Sequence, residues 1–119
     1  MANASNWRAL SASTLIGDEV VNTQGEKLGK IEDIMLDLER GRVAYAVLSF
    51  GGFLGMGDKF FAVPWDQLDV DLQAKNFRLD VPKEKLEQAP GFDKDNWPDT
   101  VDPTFVGQVY EYYGTPQYW

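Results

Sequence analysis

The sequence predicts a small, mainly β domain built as a barrel, with a short helix after the barrel and a helical tail at the C terminus. Three features predict it. The run Arg42 to Trp65 reads RVAYAVLSF, GGFLGMGDK, FFAVPW: two strands joined by a glycine-rich loop. Successive side chains leave a strand on opposite faces, and Val43, Ala44, Tyr45, Ala46, Val47 and Leu48 supply apolar groups to both, so this strand expects cover on two sides. Upstream, Asn22-Thr23-Gln24-Gly25-Glu26 has the polar, glycine-containing chemistry of a hairpin turn, with Gly25 expected at positive φ. Downstream, apolar residues recur at helical spacing between Pro103 and Tyr113.

With 119 residues the chain is long enough for one domain with a real core, and 44% hydrophobic against 25% charged residues is ordinary for a globular protein. The 19 acidic against 11 basic residues leave a net charge of −8, which repels phosphate backbones and anionic lipid surfaces, so nucleic acid is not expected as a direct partner. There is no cysteine, hence no disulfide, thiolate nucleophile or thiolate metal site. Histidine is absent too. That removes the commonest general base and transition-metal ligand, leaving carboxylates, lysines and tyrosines for acid–base work.

The first residues, MANASNWRALSAS, lack a basic leader and an apolar core segment, so no secretory signal is expected. No stretch approaches the ~20 apolar residues of a membrane helix. The expected location is the cytoplasm, without membrane insertion. Residues 1–13 read as a polar arm whose Trp7 and Leu10 lie back on the barrel. From Thr14 the chain becomes ordered, and Leu15-Ile16-Gly17 leads into Glu19 to Asn22. The next strand, Lys27 to Glu39, alternates at Ile34, Leu36 and Leu38, but Ile31 is out of phase with that set. A bulge near Glu32 and Asp33 resolves the conflict. Glu39-Arg40-Gly41 then turns the chain into the strand beginning at Arg42.

The loop Gly51 to Gly57 holds four glycines with Phe53, Leu54 and Met56 between them. It is not a phosphate loop. Gly52 and Gly57 have the right separation, but Asp58 stands where lysine is needed, no magnesium-holding hydroxyl follows, and the next segment is a strand. Phe60 to Val63 forms that strand, ended by Pro64. Trp65 to Leu68 reads as a single turn, Asp69 to Leu72 and Phe77 to Val81 as a last hairpin around Gln73-Ala74-Lys75-Asn76, and Lys83 to Glu87 as a short helix after Pro82. Ala89-Pro90-Gly91 stops the helix.

The run from Leu15 to Trp65, with KEKLEQAPGFD after it, resembles the PRC-barrel family, the module of the photosynthetic reaction-centre H subunit and of the C-terminal domain of the ribosome maturation factor RimM. The resemblance covers about Thr14 to Asp93; its markers are Gly17, Gly25-Glu26, Gly29-Lys30-Ile31, AVLSFGG and Val63-Pro64-Trp65. It implies a six-stranded antiparallel barrel that contacts other proteins and has no family-wide catalytic residues. A closed barrel of that size is filled by side chains such as Ile34, Leu36, Val47 and Phe61. With no membrane anchor like the H subunit's and no N-terminal barrel like RimM's, the resemblance carries neither the photosynthetic nor the ribosomal role to this chain.

Domain organisation follows: a polar arm over 1–13, a PRC-barrel domain over 14–93, and a linker with an amphipathic helix over 94–119. In the tail, Asp102 caps the helix, Pro103 takes its first position and Gly114 its exit. Phe105, Val106, Val109, Tyr112 and Tyr113 form one apolar stripe, which packs either on the same barrel or on a second copy. Tyr110, Tyr118 and Trp119 add an aromatic cluster suited to packing or an interface. Asp66, Asp69 and Asp71 are the nearest approach to a hard-cation site, and a solvated face explains them as well. The segment Asp93, Asp95, Asn96, Asp99, Asp102 departs from a calcium loop at Trp97, Pro98 and Thr104.

No catalytic, cofactor-binding or metal-binding residue is therefore assigned. The expected function is a non-enzymatic protein–protein interaction module that forms a homodimer, with Phe53, Leu54, Met56, Phe105, Val109, Tyr112 and Tyr113 as interaction residues. The alternative is an enzyme, a metal binder or a small-ligand binder using carboxylates and tyrosines, which requires a polar cleft away from the apolar loop.

Overall fold

The computed structural model describes residues 9–50, 59–93, 95–98 and 103–119. A short helix, α1 (Ala12–Leu15), precedes the strands β1 (Glu19–Val21), β2 (Lys27–Asp37), β3 (Arg42–Ser49) and β4 (Lys59–Pro64). A 3-10 turn (Trp65–Gln67) leads to β5 (Leu68–Asp71) and β6 (Asn76–Leu79), then α2 (Lys83–Glu87), β7 (Gly91–Asp93) and α3 (Thr104–Tyr113). The strands form one sheet in the order β5-β6-β1-β2-β3-β4-β7.

The fold is the expected mainly β, barrel-type architecture, with two corrections. Among the described residues it has seven strands rather than six, because the chain from Gly91, the last residue of the expected helix stop, to Asp93 pairs with β4 and places Phe92 opposite Phe60. Nor is the sheet wholly antiparallel: β6 runs parallel to β1, and no ladder joins the outer strands β5 and β7. The 3-10 turn is the reason. It passes the chain from β4 to β5 in the same sense instead of reversing it, so the β5–β6 hairpin arrives with β6 alongside β1 in parallel.

Local chemistry explains the turns. Asn22 is buried; its Oδ1 accepts the Gln24 and Glu26 amides and its Nδ2 donates to the Val81 carbonyl, so it closes the β1–β2 hairpin and ties it to the chain after β6. Gly25 at φ 81 and Gly114 at φ 66 occupy the left-handed positions expected of them. Asp37 Oδ1 caps the next turn by accepting from the Glu39 and Arg40 amides.

The bulge expected near Glu32 and Asp33 is present, since the β2–β3 register shifts between Ile31 and Asp33. A second irregularity, between Met35 and Leu36, skips Ala44 on β3. The first break lies in β2 and puts Ile31 and Ile34 on one face; the second adds its extra residue to β3 and leaves the alternation of β2 unbroken. Val47 and Phe61 are interior as expected, but Ile34 is only partly covered, and Leu36 and Leu38 are 63% and 84% exposed. Leu36 is therefore not a barrel filler: β2 and β3 run on beyond the end of β1, and Leu36 sits on that overhang. Leu10 is likewise 52% exposed rather than laid on the barrel, whereas Leu15 packs against the core.

The double-sided apolar character of β3 is explained by what lies on each face. Residues opposite one another across a ladder share a face. Ala46, Leu48, Phe61 and Val63 face one way with Ile31 and Ile34. Tyr45, Val47, Phe60 and Ala62 face the other way, and α3 and Trp97 cover them. Phe105 sets its ring 6.2 Å from Tyr45 and 5.8 Å from Phe92, while Trp97 lies 5.5 Å from Phe60 and 4.9 Å from Phe92.

Candidate interaction surface

Phe53, Leu54 and Met56 lie in residues 51–58, outside the described residues. The Phe50 amide donates to the Lys59 carbonyl at 2.9 Å, closing the β3–β4 connection, and the Phe50 ring meets Phe61 edge-on at 5.8 Å. The Lys83 ammonium of α2 sits 5.7 Å from the Phe50 ring. Of the strands on either side, β4 is buried at five of its six residues and β3 at the four residues Tyr45 to Leu48.

The four helix residues expected at an interface all contact their own chain. Phe105 fills the Tyr45–Phe92 gap, and Val109 and Tyr113 are buried. Tyr112 donates its hydroxyl to the Lys85 carbonyl at 2.5 Å, with the Lys85 ammonium 5.5 Å from its ring. In the structure the stripe packs against the chain's own sheet. The Tyr113 hydroxyl is buried without a hydrogen-bond partner among the described residues, and burial pushes its pKa up, assisted by the neighbouring Tyr112.

Sequence reasoning missed a polar and aromatic clasp at the chain's end. Tyr118 donates its hydroxyl to Asp37 Oδ2 at 2.8 Å, and the Arg42 guanidinium stacks 3.7 Å from the Tyr118 ring centre. Arg42 also approaches Asp66 at 3.4 Å, and Gln67 Nε2 donates to Thr115 Oγ1 at 2.8 Å. Tyr110, Tyr118 and Trp119 stack edge-to-face with centroids 5.0 to 6.0 Å apart. Burial and the bond to Asp37 push the Tyr118 pKa up to about 12. Burial works to raise Asp37, but hydrogen bonds from Tyr118 and Arg40 outweigh it and hold the carboxyl below its ordinary value. The signal was present only as an aromatic chain end, because Asp37 and Tyr118 are 81 positions apart.

The acidic candidates are spread among structural tasks. Asp66 faces Arg42, Asp69 stands opposite Arg78, and Asp71 Oδ1 accepts the Gln73 and Ala74 amides of the β5–β6 turn. Asp69, Val70, Asp71, Leu72, Gln73 and Arg78 line an open depression of about 390 Å³. Among the described residues, no group of three or more acidic side chains is placed to hold a metal ion. Asp93 ends β7 and its carbonyl accepts the Asn96 amide, while Asp99 and Asp102 lie outside the described residues. Among the described residues, no helix is long and apolar enough to cross a membrane.

No curated protein matches the chain. One similar solved structure is that of a 16S ribosomal RNA processing protein, RimM, from Pseudomonas aeruginosa, at 21% identity and a TM-score of 0.46. The alignment covers 70% of this chain and 50% of that one. The family model for the PRC-barrel domain matches residues 8–86, which takes in everything from α1 to α2. With that match over most of the globular part, the chain belongs to the PRC-barrel family.

Proposed function

We propose that this chain is a non-enzymatic protein–protein interaction module of the cytoplasm, with the barrel domain over 14–93 and an N-terminal arm and C-terminal tail around it. It self-associates through the Gly51–Gly57 loop and the strands that carry it. The observation that supports this most is the filling of both faces of β3 and β4 by the chain's own side chains. Such a sheet leaves recognition to its loops and edges. The ionisable side chains with shifted pKa values are engaged in packing and capping, as Tyr110 and Asp37 are, which supports a structural role for them over a catalytic one.

Phe53, Leu54 and Met56 supply the apolar contact. Burying each contributes roughly 1.5–3 kcal/mol, against an association cost of at least ~4 kcal/mol, so the loop needs its flanking strands to add area. Sedimentation velocity on the Phe53→Asp and Leu54→Asp variants tests the reading. The expected result is a shift to monomer with an unchanged circular dichroism spectrum. Association equal to wild type in folded variants removes the loop from the interface.

A further inference from the structure

The overhang of β2 carries a second surface, independent of the 51–58 loop. β1 pairs only with Lys27 to Lys30 of β2, and two backbone bonds finish that ladder: the Gly17 amide to the Ile31 carbonyl at 2.8 Å, and the Ile31 amide to the Asp18 carbonyl at 2.9 Å. At Gly17 the backbone takes φ 96 and leaves the sheet for α1. β2 continues to Asp37, and among the described residues only β3 pairs with that stretch. The Asp37 carbonyl accepts the Gly41 amide and so faces β3; alternation then turns the polar groups of Ile34 and Leu36 outward. The Ile34 amide confirms the direction, since it is held by Asp33 Oδ1 at 2.8 Å instead of by a strand.

An open ladder edge is a template for another strand, and proteins usually blunt such edges with charge or brevity. The other two edges obey this rule: β7 has three residues, and β5 has four with Asp69 and Asp71 among them. The β2 edge instead presents Leu36, 63% exposed, and the turn after it presents Leu38, 84% exposed. Around them stand Glu32, Asp33, Asp37 and Glu39. Asp37 is engaged by Arg40 and Tyr118, whereas among the described residues Glu32, Asp33 and Glu39 form no ion pair. A second copy is a poor occupant. Two β2 edges paired about a two-fold axis set these carboxylates against each other on chains that each carry a net charge of −8.

We propose that the outer edge of β2 from Ile34 to Leu36, with Leu38 of the following turn beside it, adds an extended segment of another protein as a strand, and that this segment alternates apolar and basic residues. Backbone bonds to the Ile34 carbonyl and to Leu36 supply the pairing, Leu36 and Leu38 take the apolar side chains, and Glu32, Asp33 and Glu39 select the basic ones.

The probe is a ten-residue peptide alternating valine and lysine, titrated into the full-length protein, with binding read by fluorescence anisotropy and the site by amide chemical shifts. Saturable binding with the largest shifts between Asp33 and Leu38 is expected. Leu36→Pro, which removes an outward donor and no internal ladder bond, weakens it about tenfold or more; Leu36→Glu serves if the proline variant does not fold. The same peptide N-methylated at alternate residues keeps its charge and loses binding. Phe53→Asp leaves binding unchanged, which separates this surface from the loop. Equal binding of the methylated peptide, shifts centred elsewhere, or a wild-type dimer whose β2 edge amides resist hydrogen exchange overturns the proposal.

Discussion

Tyr110→Phe removes one oxygen from the molecule, and the structure says what that oxygen does. Tyr110 is fully buried, and its hydroxyl donates to the Ala44 carbonyl at 2.5 Å. Ala44 is the residue that both registers pass over: β2 goes from Met35 opposite Tyr45 to Leu36 opposite Val43, and the β4 ladder begins at Tyr45. A helix residue 66 positions away therefore supplies the bond that the irregularity in β3 leaves open. A neutral hydrogen bond contributes about 1 kcal/mol net, and an orphaned buried carbonyl costs about 1–3 kcal/mol. Ala44 is only half-buried, which favours the lower part of that range and gives about 1–2 kcal/mol for the variant. At a urea dependence of ~1–3 kcal/mol per molar, the midpoint falls by about 0.3–2 M with unchanged slope. Tryptophan fluorescence follows it, with Tyr112→Phe as the control: Tyr112 bonds the Lys85 carbonyl at the surface, where water takes over, so its loss stays under ~0.5 kcal/mol. Equal midpoints for Tyr110→Phe and wild type refute the assignment of α3 as the partner of the β3 irregularity.

Two further outcomes follow from the same contacts. Gly29→Ala places a Cβ 2.3 Å from the Ser49 carbonyl oxygen at a backbone φ of 144, so it destabilises by about 2 kcal/mol or more; a thermal melt within a degree or two of wild type contradicts that geometry. Tyr118 titrates at about 12 when folded against 10 in the open chain, so the folded state holds the proton more tightly. Its contribution is complete below pH 10 and lost as pH rises through about 12. Tyr118→Phe should show a shallower loss of urea stability between pH 10 and 12 than wild type, and an identical slope removes the Tyr118–Asp37 bond from the account.

Much of this fold was legible because its signals are local. The Asn22–Glu26 turn, the bulge after Ile31, the 3-10 turn at Trp65 and the exit at Gly114 each depend on a few adjacent residues with restricted backbone choices. Gly29, legible only as a family marker, has a physical reason in the Ser49 carbonyl that occupies its Cβ position. What was not legible depends on distant partners. β7 is three residues long and exists because Phe60 and Trp97 give Phe92 a place. The parallel β1–β6 pair depends on the sense of one turn, and the Asp37–Arg42–Tyr118 clasp joins groups that no spacing rule links. Leu36 was misread because β2 runs on past the end of β1, a length that the sequence does not announce, and Leu36 sits on that overhang.

The division between α3 and the barrel also bears on where a partner can act. The family model ends at residue 86, yet the outward face of β3 and β4 is apolar and is covered by residues beyond it: Phe92, Trp97, Phe105 and the rest of α3. A partner that displaced α3 would have to match the burial of Val109, Tyr110 and Tyr113, roughly 1.5–3 kcal/mol each, and re-cover Tyr45 and Phe60 as well. Gross burial of that size is comparable to the whole stability of a small domain, about 5–15 kcal/mol. Displacement is thus a poor route to recognition for this chain. Binding that leaves α3 seated has to use what the sheet does not already occupy, namely the loop rooted at Phe50 and Lys59 and the overhanging edge at Leu36.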